Sequence, residues 1–350
     1  MVAVFLRKAH KVKTRNLFRL VVLSSVVMVL AGVGSAQNSR GRSLAKPQPT
    51  LISSLPTSDT VALIKLRRVL DEAMPKLLSD NQAKLAEINA QIDQFKSRTG
   101  IDPRAFTELA LGMRYSYPAP GITKIVTVGL AQGNFNANAI IAAGKVAATG
   151  KYREEKYQGR SIYVFTIDQQ MRVLGLLDLR IRELAVSPLT ANTLALGDRE
   201  SVQSAIDASK SSRRGNAELI ALATQDPNAI MGFGGNVSPT LLQNLRIGND
   251  AIANDLAAVR QVYGSIGITD KNVEMLVAAR TANPDSARSL GGTIEGLRAF
   301  GAFFTGRMPA AKGALARSAL ANLKVTLLGS DLQIRTTVAQ AEVGPLLRGF

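Results

Sequence analysis

Lys151-Tyr152-Arg153-Glu154-Glu155-Lys156-Tyr157-Gln158-Gly159-Arg160-Ser161-Ile162-Tyr163-Val164-Phe165 is the stretch on which the reading of the fold turns. Strand formers run on both sides of Gln158-Gly159, and glycine accepts the positive φ that a two-residue hairpin turn demands. With two central residues in the turn, Tyr157 faces Arg160, Glu154 faces Tyr163 and Tyr152 faces Phe165. The last two pairs share a face, and its Tyr152/Phe165 end is expected to pack inward.

The pattern extends outward from this hairpin. Before it, Asn136 is a helix cap for an Ala- and Ile-rich segment ending near Gly150, and two strand-like runs, Ala105 to Tyr115 and Lys124 to Ala131, flank the Pro118/Pro120/Gly121 turn. Earlier still, Leu85, Ile88, Ile92 and Phe95 are spaced to share one helix face, Gly100 closes that helix, and Val61 to Leu66 suits a strand. After it comes an extension, residues 168–215, with a hairpin around Ala185 to Leu196 and a helix to Ser209. Ser211-Ser212-Arg213-Arg214-Gly215 then reads as a linker.

The second part of the chain repeats the order: strand Asn228 to Gly234, helical Ser238 to Val259, strands Arg260 to Ile268 and Asn272 to Ala279. A long helix follows, opened by Asn283-Pro284-Asp285 as cap, proline and early acid, with Leu290, Ile294, Leu297 and Phe304 on its apolar face. A helix at Lys312 to Asn322 leads to a terminal hairpin turning at Gly329-Ser330. Leu111-Gly112-Met113 falls on Ile266-Gly267-Ile268, and Asn136 and Gly144 fall on Asn283 and Gly291. The expectation is an α+β protein of two tandem split-βαβ, ferredoxin-like repeats, mainly antiparallel, with helices on one face. The repeats span residues 51–215, including a ββα extension, and 216–350. Convergent patterning without duplication is the alternative.

The N-terminus carries a targeting signal. Arg7, Lys8, Lys11, Lys13, Arg15 and Arg19 form an acid-free basic region before the apolar run Leu20 to Val33 and Gly34-Ser35-Ala36. That is the three-part pattern of a signal peptide, residues 1–36, cleaved after Ala36; the alternative is a retained anchor. Residues 37–50, with Arg40, Arg42 and Lys46, read as a flexible basic leader. The expected location is periplasmic or secreted, with membrane contact only through the signal before cleavage. Six of the basic residues behind the net charge of +17 lie in the segment to be removed, so the modest remaining excess favours anionic surfaces or polymers over neutral partners, and no nucleic acid is expected as partner of an exported chain.

The 350 residues include no cysteine and a single histidine, His10, inside the signal. Thiol redox chemistry, Cys-ligated metals, imidazole triads and His-ligated metals are therefore excluded from the exported chain, and no cofactor is expected.

Two candidate sites stand out. Five of the six tyrosines, Tyr115, Tyr117, Tyr152, Tyr157 and Tyr163, lie in one stretch. Tyr152, Arg153, Lys156, Tyr157, Arg160 and Tyr163 form a possible ligand or anion surface; the bland alternative is a sheet edge guarded by charge. Gly234, Gly235, Asn236 and Ser238 are a weak anion-nest candidate, since glycines precede a helix cap; a tight strand end is the alternative. The neighbouring acids Asp71-Glu72 and Glu154-Glu155 diverge on either a helix or a strand, so neither makes a catalytic pair.

With the leader, Leu55-Pro56-Thr57-Ser58-Asp59-Thr60-Val61, Arg98-Thr99-Gly100-Ile101-Asp102, Gly150 to Tyr157 and Phe233-Gly234-Gly235-Asn236 resemble an uncharacterised family of exported bacterial proteins, from about Leu55 onward. The resemblance implies export and a bacterial source. It carries over no catalytic residue. The expected role is a non-enzymatic binding or scaffolding protein of the cell envelope, with an envelope protein or anionic polymer as partner. The alternatives are a cofactor-independent hydrolase using Asp, Glu, Ser or Tyr, and a protein that binds polyanions or membrane surfaces.

Overall fold

The computed structural model describes residues 50–173, 177–211, 215–244, 250–308 and 310–347. The expected signal segment, all of the leader before Thr50, and residues 212–214 of the linker lie outside them.

A short 3-10 turn, Leu51–Ser54, enters strand β1 (Thr60–Ile64). A helical stretch follows, built from Leu66–Arg68, a π turn Val69–Ala73 and Met74–Leu77. Pro75 cannot donate to the carbonyl four residues back, and the widened turn is placed where that bond is missing. Helix α1 (Gln82–Thr99) is capped by the Asn81 side chain and stopped by Gly100 at φ 72°. The hairpin β2 (Phe106–Ala119) and β3 (Ile122–Gly133) leads to helix α2 (Ala137–Ala147), capped by Asn136. Strands β4 (Tyr152–Tyr157), β5 (Arg160–Val173), β6 (Leu177–Thr190) and β7 (Thr193–Gly197) precede α3 (Arg199–Lys210) and α4 (Ala217–Ala223). Then come β8 (Ala229–Asn236), α5 (Pro239–Asn244), α6 (Asp250–Ala257), β9 (Val259–Ile268) and β10 (Asn272–Thr281). Helix α7 (Pro284–Phe304), capped by Asn283, is followed by α8 (Ala310–Ala321), β11 (Lys324–Leu328), β12 (Asp331–Ala339) and α9 (Gln340–Leu347).

The chain is α+β with a large antiparallel sheet. Among the described residues twelve strands form one sheet, in the order β11-β12-β10-β9-β8-β1-β2-β3-β7-β6-β5-β4. Two ferredoxin-like repeats are not confirmed. The expected halves share one ladder, because β1 pairs antiparallel with β8 from Thr60 opposite Gly235 to Ile64 opposite Met231. Within each half β1-β2-β3 and β8-β9-β10 are antiparallel neighbours, whereas a split βαβ unit would set a parallel pair at the centre.

Helices cover both faces of the sheet, correcting the one-face expectation. Leu194 on β7 packs with Ala137 and Ile141 of α2, while its neighbour Ala195 points the other way, into the core of Val202, Ala205 and Ile206 from α3. A strand buried on both sides needs cover on both sides. The largest cluster lies on the α3 and α4 face and joins Leu51, Ile52 and Leu55 to Val61, Leu130, Leu219 and Tyr263. Each such large side chain contributes about 1.5–3 kcal/mol on burial. The opposite face holds α2, α7, which seats Leu290 on Leu332, and α8, which packs Leu315 and Ala319 on Val338.

Candidate functional site

Helix α1 has the apolar row the spacing implies, but none of its residues is buried. Leu85, Ile88 and Ile92 are half-buried, and Phe95 is 44% exposed. Between α1 and the helical stretch 66–77 lies a groove of about 300 Å³, lined by the apolar Leu70, Met74, Pro75, Leu85 and Ile92 and by the polar Asp71, Asn89 and Arg104. The π turn supplies Leu70 and Asp71, so the local irregularity of the backbone shapes this wall. Arg104 in this lining donates to Asp93 at 2.6 Å and Asn89 at 3.1 Å, and Asp102 accepts from Lys96 and from the Arg104 amide. The Lys96 bond and then the Arg104 amide hold Asp102 below the usual carboxylate range. Such a groove exposes slightly more polar than apolar surface and can take an amphipathic side chain or a small ligand; its volume is at the low end for ligand sites.

The Tyr152–Tyr163 candidates come together in the register read from the sequence, with Tyr152 opposite Phe165, Glu154 opposite Tyr163 and Tyr157 opposite Arg160. Gln158 and Gly159 both take positive φ, as a two-residue hairpin turn of this hand requires. The Tyr152 and Phe165 rings meet at 5.8 Å, and the Lys145 ammonium sits 4.2 Å from the Tyr163 ring centre. The cations, however, already have partners. Arg153 donates to Glu183 at 2.7 and 3.2 Å and to Glu155 at 3.1 Å, and Arg199 reaches Glu155 at 2.6 Å. Lys156 bonds Ser161 and lies 3.5 Å from Glu154, while Arg160 donates to the Pro188 and Leu189 carbonyls. Tyr157 donates to Asp207 at 3.1 Å, and that bond raises its own pKa. The geometry is that of a guarded sheet edge.

The glycine stretch does not form a nest. Gly234 and Gly235 lie in extended strand, paired with β1 on one side and β9 on the other, and neither has a positive φ. Their role is close approach. A β-carbon on Gly232 would lie 2.0 Å from the Ala223 carbonyl oxygen, and one on Gly234 would lie 2.6 Å from that of Leu219, so α4 rests directly on β8. Asn236 donates its amide to Asp59 and accepts from Gln261, and Ser238 accepts from the Leu241 amide and bonds Tyr117 at 2.5 Å.

The sequence reading missed a polar network around the sixth tyrosine. Tyr263, buried to 2% exposure, donates to Asp331 at 2.8 Å; Arg280 grips the same carboxylate and also donates to Gln261 and Glu218. The partners come from β9, β10, β12 and α4, far apart in the chain, so no local motif signals them.

Among the described residues Glu274 is the one carboxyl pushed above its ordinary value, by burial and then by the charge of Asp226. Asp226 lines a cavity of only about 40 Å³, room for about one water. Among the described residues no cluster of three His, Asp or Glu groups could hold a metal ion, and no helix is long and apolar enough to cross a membrane.

The fold and surface together define an α+β protein with a single broad antiparallel sheet, covered on both faces, and a groove of mixed polar and apolar lining beside a half-buried helix. No protein-family model matches the chain, and comparison with curated proteins finds no match. Among solved structures the chain is similar to the protein TP0453. Crystal form III aligns with 8% identity and a TM-score of 0.44 over 86% of this chain and 98% of that one. Crystal form I gives 8% identity and 0.42 over 87% and 98%.

Proposed function

We propose that the chain is an exported, non-enzymatic binding or scaffolding protein of the bacterial cell envelope. The observation that carries this reading is α1, an 18-residue helix that buries none of its residues and borders an open groove of mixed polar and apolar lining. Its apolar row, half-buried at Leu85, Ile88 and Ile92 and exposed at Phe95, offers a contact surface for a partner. Export rests on the basic region, the apolar run Leu20 to Val33 and the small residues before Gln37. Loss of His10 with that segment leaves a chain poorly equipped for proton transfer.

We also propose that the two halves are copies of one unit. Outward from the central β1/β8 pair, β1-β2-β3-β7-β6 matches β8-β9-β10-β12-β11, so the addition to the first copy is the β4–β5 hairpin and not the 168–215 extension expected from the sequence. The domain boundary falls between α3 and α4.

The test is cell fractionation with intact-mass measurement, followed by capture of envelope proteins on the recovered chain and on its Ile88→Ser, Phe95→Ser variant. The reading requires a chain beginning at Gln37 in the envelope fraction and a partner lost with the variant. Intact chain in the cytosol, or an identical set of partners on both, overturns it.

A further inference from the structure

The two ends of the sheet are built differently. At one end β4 sets Arg153, Glu154, Glu155 and Lys156 in succession, the charge pattern that keeps an edge strand from pairing. At the other end β11 reads Lys324-Val325-Thr326-Leu327-Leu328, with one charge and with Leu327 44% and Leu328 57% exposed. Among the described residues nothing pairs with its outer side.

The direction of its free backbone groups follows from the ladder. The Thr281 amide donates to the Ser330 carbonyl at 2.9 Å, so residues of even number in β12 bond β10 and those of odd number bond β11. Opposite them, Lys324, Thr326 and Leu328 face β12, and the amides and carbonyls of Val325 and Leu327 point outward.

We propose that β11 is a homodimerisation edge, pairing antiparallel with β11 of a second copy about a two-fold axis at Thr326. The partner is a second copy because the strand is complementary to itself. In this register Val325 faces Leu327 of the other copy and Leu327 faces its Val325, so all outward groups of both residues are satisfied reciprocally. Lys324 faces an apolar Leu328 and no second lysine, so no like charges oppose. The pairing covers the exposed leucines and extends the sheet across the axis.

The chain contains no cysteine, which makes a cross-linking test clean. At the axis Thr326 faces its own copy in a non-hydrogen-bonded pair, with Cα atoms about 4.5 Å apart, within reach of a disulfide. Two Lys324 residues are displaced by four positions and are out of reach. The purified full chain is expected to sediment as a dimer, and Thr326→Cys to cross-link on mild oxidation at least tenfold faster than Lys324→Cys. Val325→Pro, which removes an outward donor and also the Val325 side-chain contact with the Leu290 and Leu332 cluster, is expected to give a monomer, and Val325→Ala, which trims the same contact but keeps the donor, to remain a dimer. A chain that remains monomeric at all concentrations overturns the proposal. So does a dimer in which Thr326→Cys links no faster than Lys324→Cys.

Discussion

Arg280 holds Asp331 through two parallel hydrogen bonds, Nε to Oδ1 at 2.9 Å and Nη2 to Oδ2 at 3.1 Å, across 51 residues of chain. Burial pushes the Asp331 carboxyl up, but the bonds from Arg280 and Tyr263 outweigh it and hold the group below the usual range. A depressed carboxyl contributes stability above its unfolded value, about 3.9, and loses it as pH falls through the folded value. Asp331→Ala, which strands Arg280 and the Tyr263 hydroxyl, is expected to cost about 1.5–3 kcal/mol at neutral pH. Urea unfolding should show the wild-type advantage shrinking below about pH 4.

Glu274 behaves in the opposite sense. Burial and then the Asp226 charge raise its carboxyl, so ionisation costs stability above the folded value and costs nothing once the pH lies below the unfolded one. Glu274→Gln is therefore expected to raise the melting temperature at pH 7, with the gain vanishing in acid. Thermal melts at pH 7 and pH 3.5 check it.

Gly232 has no room for a side chain, since α4 lies against its α-carbon. Gly232→Ala is expected to cost about 1–3 kcal/mol by forcing α4 off the sheet. Phosphate, titrated into the wild-type chain, is expected to leave the melting temperature unchanged, because the amides of Gly234 and Gly235 belong to the ladder.

At the guarded edge, replacing Tyr157 and Arg160 with alanine is expected to lower the melting temperature, through loss of the Asp207 bond and of the contacts to Pro188 and Leu189. The salt concentration that elutes the chain from heparin is expected to stay the same. A clear drop would show that these side chains bind anions after all.

Ile88→Ser with Phe95→Ser is expected to cost less than a core substitution, about 1 kcal/mol, because Ile88 is only half-buried and Phe95 is 44% exposed. A fall comparable to that of a core substitution, about 2–5 kcal/mol, would show that α1 belongs to the core.

What the sequence made legible was local. Asn136 and Asn283 cap their helices as read, and the β4–β5 register follows from Gln158-Gly159 because two turn residues fix every pair behind them. What it hid was distant. The glycines of β8 look like a nest until α4 is seen lying on them, and α4 itself was not anticipated in the run before Asn228. The row Leu85, Ile88, Ile92 and Phe95 shows that a helix has an apolar face; it cannot show whether anything covers that face. Pairing of β1 with β8 joins residues some 170 positions apart, and no periodicity encodes such a choice.

Amide hydrogen exchange across Gln82–Thr99, on the recovered chain alone and with its captured envelope partner, tests the binding account most directly. The account requires added protection in α1 and in the neighbouring stretch 66–77, with α3 unchanged. Protection elsewhere, with α1 exchanging as fast as before, would contradict it.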